Sequence, residues 1–342
     1  MSGRFTVYNR IVSEETFAKI LPENLKLAND FLDYLKAIDR AASTIRQYEN
    51  DLHIFFAYNA EQNGNKRFTE ISKREFANFQ SYALTEWKWS SNRIRRVKSV
   101  LSSLSNYIEC MLDEEEEYAG HRPVIRKIAS SVLEPCREKT IITDKEVQTV
   151  LDELISKEKY QCACAFALAS FSGSRKSELL RFKVRYFDDE NIMKDAALYK
   201  TPEKIVTKGR GSKGKSLYKY TLLDFKKYFD LWMAERSKLG IESEMLLVNR
   251  NGQPLSVGAL DEYAKYITDI LGKPFYFHSL RHQLCTRLFK IGIPANIIQE
   301  FFGWSNLEMT NIYNDSDSSD FFGKYFTKDG LKGENNDGRF NG

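Results

Sequence analysis

Arg175, His278, Arg281, Trp304 and Tyr313 are side chains that could together handle a phosphodiester. Arg175 stands in Gly173-Ser174-Arg175-Lys176-Ser177-Glu178-Leu179, and about a hundred residues later His278 and Arg281 share the stretch Phe277-His278-Ser279-Leu280-Arg281-His282. A phosphodiester carries one negative charge and gains a second in its pentacovalent transition state. Two guanidiniums, always charged and able to grip two oxygens, are therefore a natural clamp. A metal ion does the same work elsewhere, but no cluster of carboxylates at metal-ligand spacing accompanies these residues, so no metal ligand is expected among them. Tyrosine, with a free pKa of about 10, is a weak nucleophile at neutral pH and needs positive surroundings or a nearby base. His278 and a lysine could supply both. The set points to breaking and rejoining a phosphodiester through a tyrosine.

The elements that must position these residues are mostly helical. From Glu23 to about Leu112, apolar residues recur at spacings of three and four: Leu27, Phe31, Leu32, Leu35; then Tyr48, Leu52, Phe55, Phe56; then Phe76, Phe79, Tyr82, Ala83; then Val97, Val100, Leu101, Leu104, Ile108. Four such helices form a small all-helical bundle over 23–112. Residues 1–22 show no sustained period and are expected to be an arm. The stretch 113–138 opens with five consecutive acids and then carries Gly120, Pro123 and Pro135, so it reads as a linker.

A second domain is expected over 139–328. Thr143-Asp144-Lys145-Glu146 has the form of a capping box, and a helix from about Glu158 ends at Ser172-Gly173. Another helix is expected to open at once, with Arg175 in its first turn and Glu178 on the same face. Ile205-Val206-Thr207 and Leu217 to Leu222 read as two strands joined by a turn rich in glycine and lysine. Helices follow at 224–239, 257–271, 279–291 and 294–302. The tail 329–342 is rich in Gly, Asn and Asp and is expected to be disordered.

Composition excludes several classes. The 42% hydrophobic content is that of a globular chain, no run approaches the roughly 20 apolar residues of a membrane span, and 1–26 lacks the apolar stretch of a signal peptide. Five scattered cysteines without a Cys-x-x-Cys pair argue against a disulfide frame or a zinc site. The expectation is an intracellular protein. Net charge is only +4, but it is sorted: Lys204, Lys208, Arg210, Lys213, Lys215 and Lys219 lie in one stretch with no acid among them.

Taken singly, each candidate has an ordinary explanation as a surface arginine or a core aromatic. Their order and spacing carry the argument, and there the chain resembles the tyrosine recombinases of the phage integrase family, from about residue 24 to 326. The family's Gly-x-Arg-x-x-Glu-Leu motif matches Gly173 to Leu179, its His-x-x-Arg box matches His278 to Arg281, and its nucleophile matches Tyr313 in Thr310-Asn311-Ile312-Tyr313. Where most members have Leu-Gly-His, this chain has Phe302-Gly303-Trp304, similar to Cre-type recombinases. An indole donates a hydrogen bond but cannot shuttle a proton.

The resemblance implies a mainly α fold with a small β-sheet, an α+β chain in which an all-helical DNA-clamp domain precedes a catalytic domain similar to that of type IB topoisomerases. It implies that Arg175 and Arg281 hold the phosphoryl oxygens, that His278 acts as hydrogen-bond donor and proton acceptor near Tyr313, that Trp304 packs and donates, and that Glu178 orients Arg175. The hairpin lysine, which protonates the leaving 5' oxygen, matches Lys208 best, with Lys213 and Lys215 as alternatives. Tyr313 would form a 3'-phosphotyrosine that conserves the bond energy, so no cofactor, neither ATP nor a metal, is implied.

Arg93, Arg95, Arg96 and Lys98 at the start of the fourth helix, with Arg210, Lys213 and Lys215 in the hairpin, are the candidate DNA contacts. The implied activity is site-specific DNA recombination for a mobile element, as integrase, transposase or resolvase. The implied partners are double-stranded DNA with short inverted repeats, a homo-tetramer on two duplexes and an accessory DNA-bending protein, with no membrane and a cytoplasmic, nucleoid-associated setting. Two alternatives stay open: a DNA-binding protein on the same scaffold that no longer cuts, and a relaxing enzyme of the type IB topoisomerase kind. The apolar segment Phe321 to Phe326 could dock on a neighbouring protomer or on its own domain.

Overall fold

The computed structural model describes residues 11–130, 140–207, 215–304, 326–327 and 330–331. The chain divides into two compact units, one formed by the described residues up to 130 and the other by those from 140 onward.

The first unit is helical. Helices α1 (Glu14–Ala18), α2 (Pro22–Ala37), α3 (Ala42–Gln62), α4 (Lys73–Thr85) and α5 (Ser91–Met111) follow one another. Their starts are written locally. Pro22 begins α2, where a missing N–H costs nothing, and Ser72 and Glu75 close a reciprocal capping box on α4. The apolar stripes meet in a core of Leu27 and Phe31, Leu52, Phe55 and Phe56, Phe76 and Phe79, Val97 and Leu104. Phe55 meets Phe79 edge-on at 5.0 Å and stacks on Phe76 at 5.4 Å.

Two expectations change here. Part of the expected arm is ordered, since α1 lies within it and Thr16 and Ile20 are buried. Part of the expected linker packs on the bundle as well: Ile125 is buried in its core, with Tyr118, Val124 and Ile128 against it. Neither stretch shows a sustained helical period, because its apolar residues are few and irregularly spaced.

The second unit is built around α7 (Tyr160–Ser172), which is apolar on every side and buried from Cys162 to Ser172. A helix of that kind has no solvent face and must be surrounded. Packed on it are α6 (Asp144–Ser156), α9 (Lys226–Lys238) and α11 (Phe277–Lys290), with α10 (Val257–Leu271) against α6. Between α7 and α9 come the one-turn helix α8 (Lys176–Leu179) and four short strands; α12 (Ala295–Phe302) follows α11. The expected capping box at Thr143 and Glu146 is present.

The strands form two antiparallel pairs rather than one hairpin of two long strands. Leu198–Lys200 (β1) pairs with Tyr220–Leu222 (β4), and Ile205–Val206 (β2) pairs with Ser216–Leu217 (β3). The run from Leu217 to Leu222 is broken at Tyr218 and Lys219, and β1 is an additional strand. The break has a cause: Thr201 holds Lys219 from both sides, its N–H donating to the Lys219 carbonyl and its hydroxyl accepting from the Lys219 N–H. A further pair, β5 (Phe326–Thr327) with β6 (Gly330–Leu331), closes the described chain.

Candidate functional site

The site begins where α7 stops. Gly173 takes a left-handed conformation, φ +57°, and a Cβ there would lie 2.2 Å from a ring carbon of Phe302. Only glycine satisfies both demands, the backbone hand and the close ring. The turn delivers Arg175 in extended backbone just ahead of α8, not inside its first turn as expected. Arg175 and Glu178 nevertheless meet. The Glu178 carboxylate accepts from the Arg175 backbone N–H and from its guanidinium, both at 3.0 Å.

The second arginine arrives from α11. Arg281 is buried, and its guanidinium donates to the carbonyl of Gly173 at 2.6 Å and to that of Phe302 at 3.1 Å. The same guanidinium lies 4.7 Å from the Phe302 ring centre and 5.3 Å from that of Trp304, and these two rings stack at 4.7 Å. Trp304 is therefore a core residue, buried with Leu284, Leu288 and Ile298. Gly303 between the two rings has φ +67°, and a Cβ on it would meet Leu217 of β3 at 2.4 Å, so the small sheet presses on this turn.

His278 stands one turn before Arg281 on α11, edge-on to His282 at 5.2 Å. Its imidazole is held below its ordinary pKa by the protein around it and then by the positive charges of Arg281 and Arg175. The side chain keeps solvent access, and both guanidiniums favour its neutral form. A neutral imidazole at pH 7 can accept a proton.

Lys219 was not among the sequence candidates. It is buried, and its Nζ donates to Glu178 Oε2 at 2.7 Å, which gives one carboxylate two cationic partners. Burial alone would raise the Glu178 pKa; Lys219 and Arg175 outweigh it and hold the carboxyl below its usual range. Burial lowers the Lys219 pKa, opposed by Glu178 and reinforced by Arg281 and Arg175. The two directions agree with one carboxylate among three cations. The signal available in the sequence was alternation: Lys219 and Thr221 are buried while Tyr218 is exposed, although the strand itself begins only at Tyr220.

Three of the four expected DNA contacts of the first unit have partners within it. Arg96 forks onto Asp51 with two bonds of 2.9 Å, and Arg93 reaches the same carboxylate at 3.1 Å while lying over Trp89. Lys98 donates to Ile128 and Ser130. Arg93 and Arg96 turn inward because Asp51 is fully buried and an unpaired carboxylate there would be costly. Lys215 is exposed, and its carbonyl accepts from Thr207. Lys208, Arg210, Lys213 and Tyr313, and the apolar segment up to Tyr325, lie outside the described residues.

The model of the phage integrase family matches residues 140–320, more than half of the chain. The chain belongs to the phage integrase family. Among similar proteins is the SPbeta prophage-derived recombinase-like protein YomM of Bacillus subtilis strain 168, 28% identical over 287 residues, covering 82% of this chain and 83% of the relative. A tyrosine recombinase of Thermosipho africanus is 26% identical over 300 residues, covering 84% and 94%. The phage integrase fold is shared with a solved XerH site-specific recombinase bound to palindromic difH substrate, at a TM-score of 0.61 and 17% identity, covering 87% of this chain and 94% of that one. A lambda integrase dimer bound to a COC' core site gives a TM-score of 0.61 at 16% identity, covering 85% and 76%. This member of the family is thus a mainly helical α+β protein and an enzyme, a tyrosine-type site-specific DNA recombinase.

Proposed function

We propose that the chain cuts and rejoins double-stranded DNA through Tyr313, with a 3'-phosphotyrosine and a free 5' hydroxyl as the intermediate. The observation that carries this reading is the bond from Arg281 to Gly173, which brings two arginine motifs 108 residues apart into one site. Arg175 and Arg281 stabilise the charge that develops on the phosphoryl oxygens. His278, below its ordinary pKa beside them, takes the phenolic proton. Lys208, or else Lys213 or Lys215, protonates the leaving 5' oxygen. Trp304 stands where most relatives have histidine, as in Cre-type enzymes, and packs against Arg281. Glu178 orients Arg175. Every atom of the exchange is supplied by tyrosine and DNA, so the step itself draws on no cofactor.

The described residues contain no helix long and apolar enough to cross a membrane, in keeping with work on DNA in the cytoplasm of a bacterial or phage-infected cell. The domain reading of a DNA-clamp unit, 23–112, followed by a linker and a catalytic unit, 139–328, is supported by the two compact units. Tetramer assembly on two duplexes with short inverted repeats, an accessory bending protein and service to a mobile element complete the proposal. A lambda integrase tetramer bound to a Holliday junction supports the tetramer by analogy of fold. Arg95, Arg210, Lys213 and Lys215 are the proposed phosphate contacts, with Arg93, Arg96 and Lys98 as supports of the bundle that presents them.

The test is a denaturing gel for a covalent protein–DNA adduct, using wild type and Tyr313→Phe on nicked duplexes made from DNA flanking the gene. An adduct lost only in the variant establishes the nucleophile. Specific binding without an adduct would favour the non-cutting DNA-binding alternative, and relaxation of supercoils without strand exchange would favour the topoisomerase-like one.

A further inference from the structure

Arg175, Glu178 and Lys219 form a graded ion cluster. The Lys219 side chain is 3% exposed, that of Glu178 1% and that of Arg175 30%. The carboxylate divides its oxygens: Oε1 accepts from the Arg175 guanidinium, and Oε2 accepts from the Arg175 backbone N–H and the Lys219 ammonium. Within this cluster, only the guanidinium has appreciable access to a ligand. Lys219 lies beneath it, anchored by its own backbone to Thr201, so its ammonium faces the carboxylate rather than a substrate.

Without Lys219, Glu178 and Arg175 would be a one-to-one ion pair. The carboxylate that orients the guanidinium would also cancel its field, and an anion approaching from solvent would meet a nearly neutral pair. A buried cation behind the carboxylate removes that conflict. We infer that Lys219 is a positioning residue for Arg175: by balancing Glu178 from below, it lets that carboxylate hold the guanidinium without neutralising it toward the substrate. The lowered pKa values of Glu178 and Lys219 accord with a cluster of net positive charge. This inference rests on the reading of the site as a phosphodiester clamp.

The experiment compares wild type with K219M, K219Q and K219R in the full chain. K219M removes the charge at similar length, K219Q keeps a donor to Glu178 without charge, and K219R keeps both. Adduct formation is measured at saturating nicked duplex from DNA flanking the gene, and duplex affinity by gel shift. The expected result is a loss of adduct rate of roughly 10- to 100-fold in K219M and K219Q, with affinity within about twofold of wild type, and recovery to within about fivefold in K219R.

Independently of cleavage, the Nε–H NMR signal of Arg175, assigned through R175K, should shift in K219M and K219Q and return in K219R. An unchanged Arg175 signal in both charge-removing variants, or a wild-type adduct rate in K219Q, overturns the inference. Should K219M lose its cooperative melt, K219Q carries the comparison. A wild-type protein that forms no adduct while its Arg175 signal responds to Lys219 would sink the cleavage reading and leave the positioning role standing.

Discussion

The Arg281 guanidinium donates to the Gly173 carbonyl at 2.6 Å, tying the start of the first arginine motif to the second across 108 residues of sequence. Its second bond, to Phe302, ties both to the turn before Trp304. Arg281→Met should leave two buried carbonyls without a donor and cost about 3 kcal/mol, read from the urea midpoint. Arg281→Lys keeps the charge but not the fork and should lie between Met and wild type in stability. Both should abolish the adduct. A Met variant of unchanged midpoint would remove Arg281 from the architecture of the site.

Gly173 is demanded twice, by its backbone hand and by the Phe302 ring. Gly173→Ala should cost about 2 to 4 kcal/mol, combining roughly 1 kcal/mol for the left-handed residue with the overlap. Phe302→Leu should be destabilising alone but should soften Gly173→Ala when combined with it, because the overlap term goes and the strain stays. Additive denaturation midpoints in the double variant would show that the ring is not the obstacle.

Glu178 gives a pH signature with a definite sign. Its folded pKa lies below the ordinary value of 4.5, so the folded state binds fewer protons than the unfolded one over that window. The contribution is fully present above 4.5 and is lost as pH falls through the folded value. Glu178→Gln, which leaves Lys219 buried without a carboxylate, should cost about 3 kcal/mol at pH 7. The gap between variant and wild type should narrow as pH falls below 4.5. A gap independent of pH would mean that the carboxylate is not charged in the fold.

His278 makes a prediction for the reaction. Its folded pKa is below 6.5, so the neutral, proton-accepting form predominates at pH 7, and the adduct rate should fall with acid only below 6.5. His278→Gln should lower the rate by roughly 10²-fold and flatten that acid limb. A limb centred above 6.5, or one surviving in the variant, would assign the titration to another group.

In the bundle, the Asp51 pair should be asymmetric. Asp51 is fully buried while the Arg96 side chain is 36% exposed, and burial holds the Asp51 pKa above its ordinary value despite Arg96. Arg96→Met leaves the buried carboxylate with Arg93 as its remaining cation and should cost about 2 kcal/mol. Asp51→Asn frees arginines that can turn outward and should cost about 1 kcal/mol. Equal costs, measured by thermal melts, would contradict this account. If Arg96 were a phosphate contact instead, Arg96→Met would reduce the salt slope of DNA binding by about one unit.

Much of the fold and of the motif set was legible in the sequence, because the signals are local. Helix positions follow from apolar spacing within one segment, a helix start from Thr143 with Glu146, and the end of α7 from one glycine. The Gly-x-Arg-x-x-Glu spacing likewise sets the Arg175 to Glu178 contact within one turn. Strands were harder, since β2 and β3 are two residues long and β4 is three, too short for a period to establish itself.

Tertiary structure alone decided which charges are buried and with whom. Arg96 and Lys219 look alike in sequence, solvated cations in basic stretches, yet one closes on Asp51 and the other on Glu178, 45 and 41 residues away. The cost of a buried charge depends on what folds over it and on the partner that arrives with it. Both come from distant segments, so no local pattern encodes them. The sequence by itself determined the helices, the order of the motif residues and the family they resemble. The folded chain decided that Arg281 is a buried tie, that Trp304 is core, and that a lysine absent from every motif stands behind the first arginine.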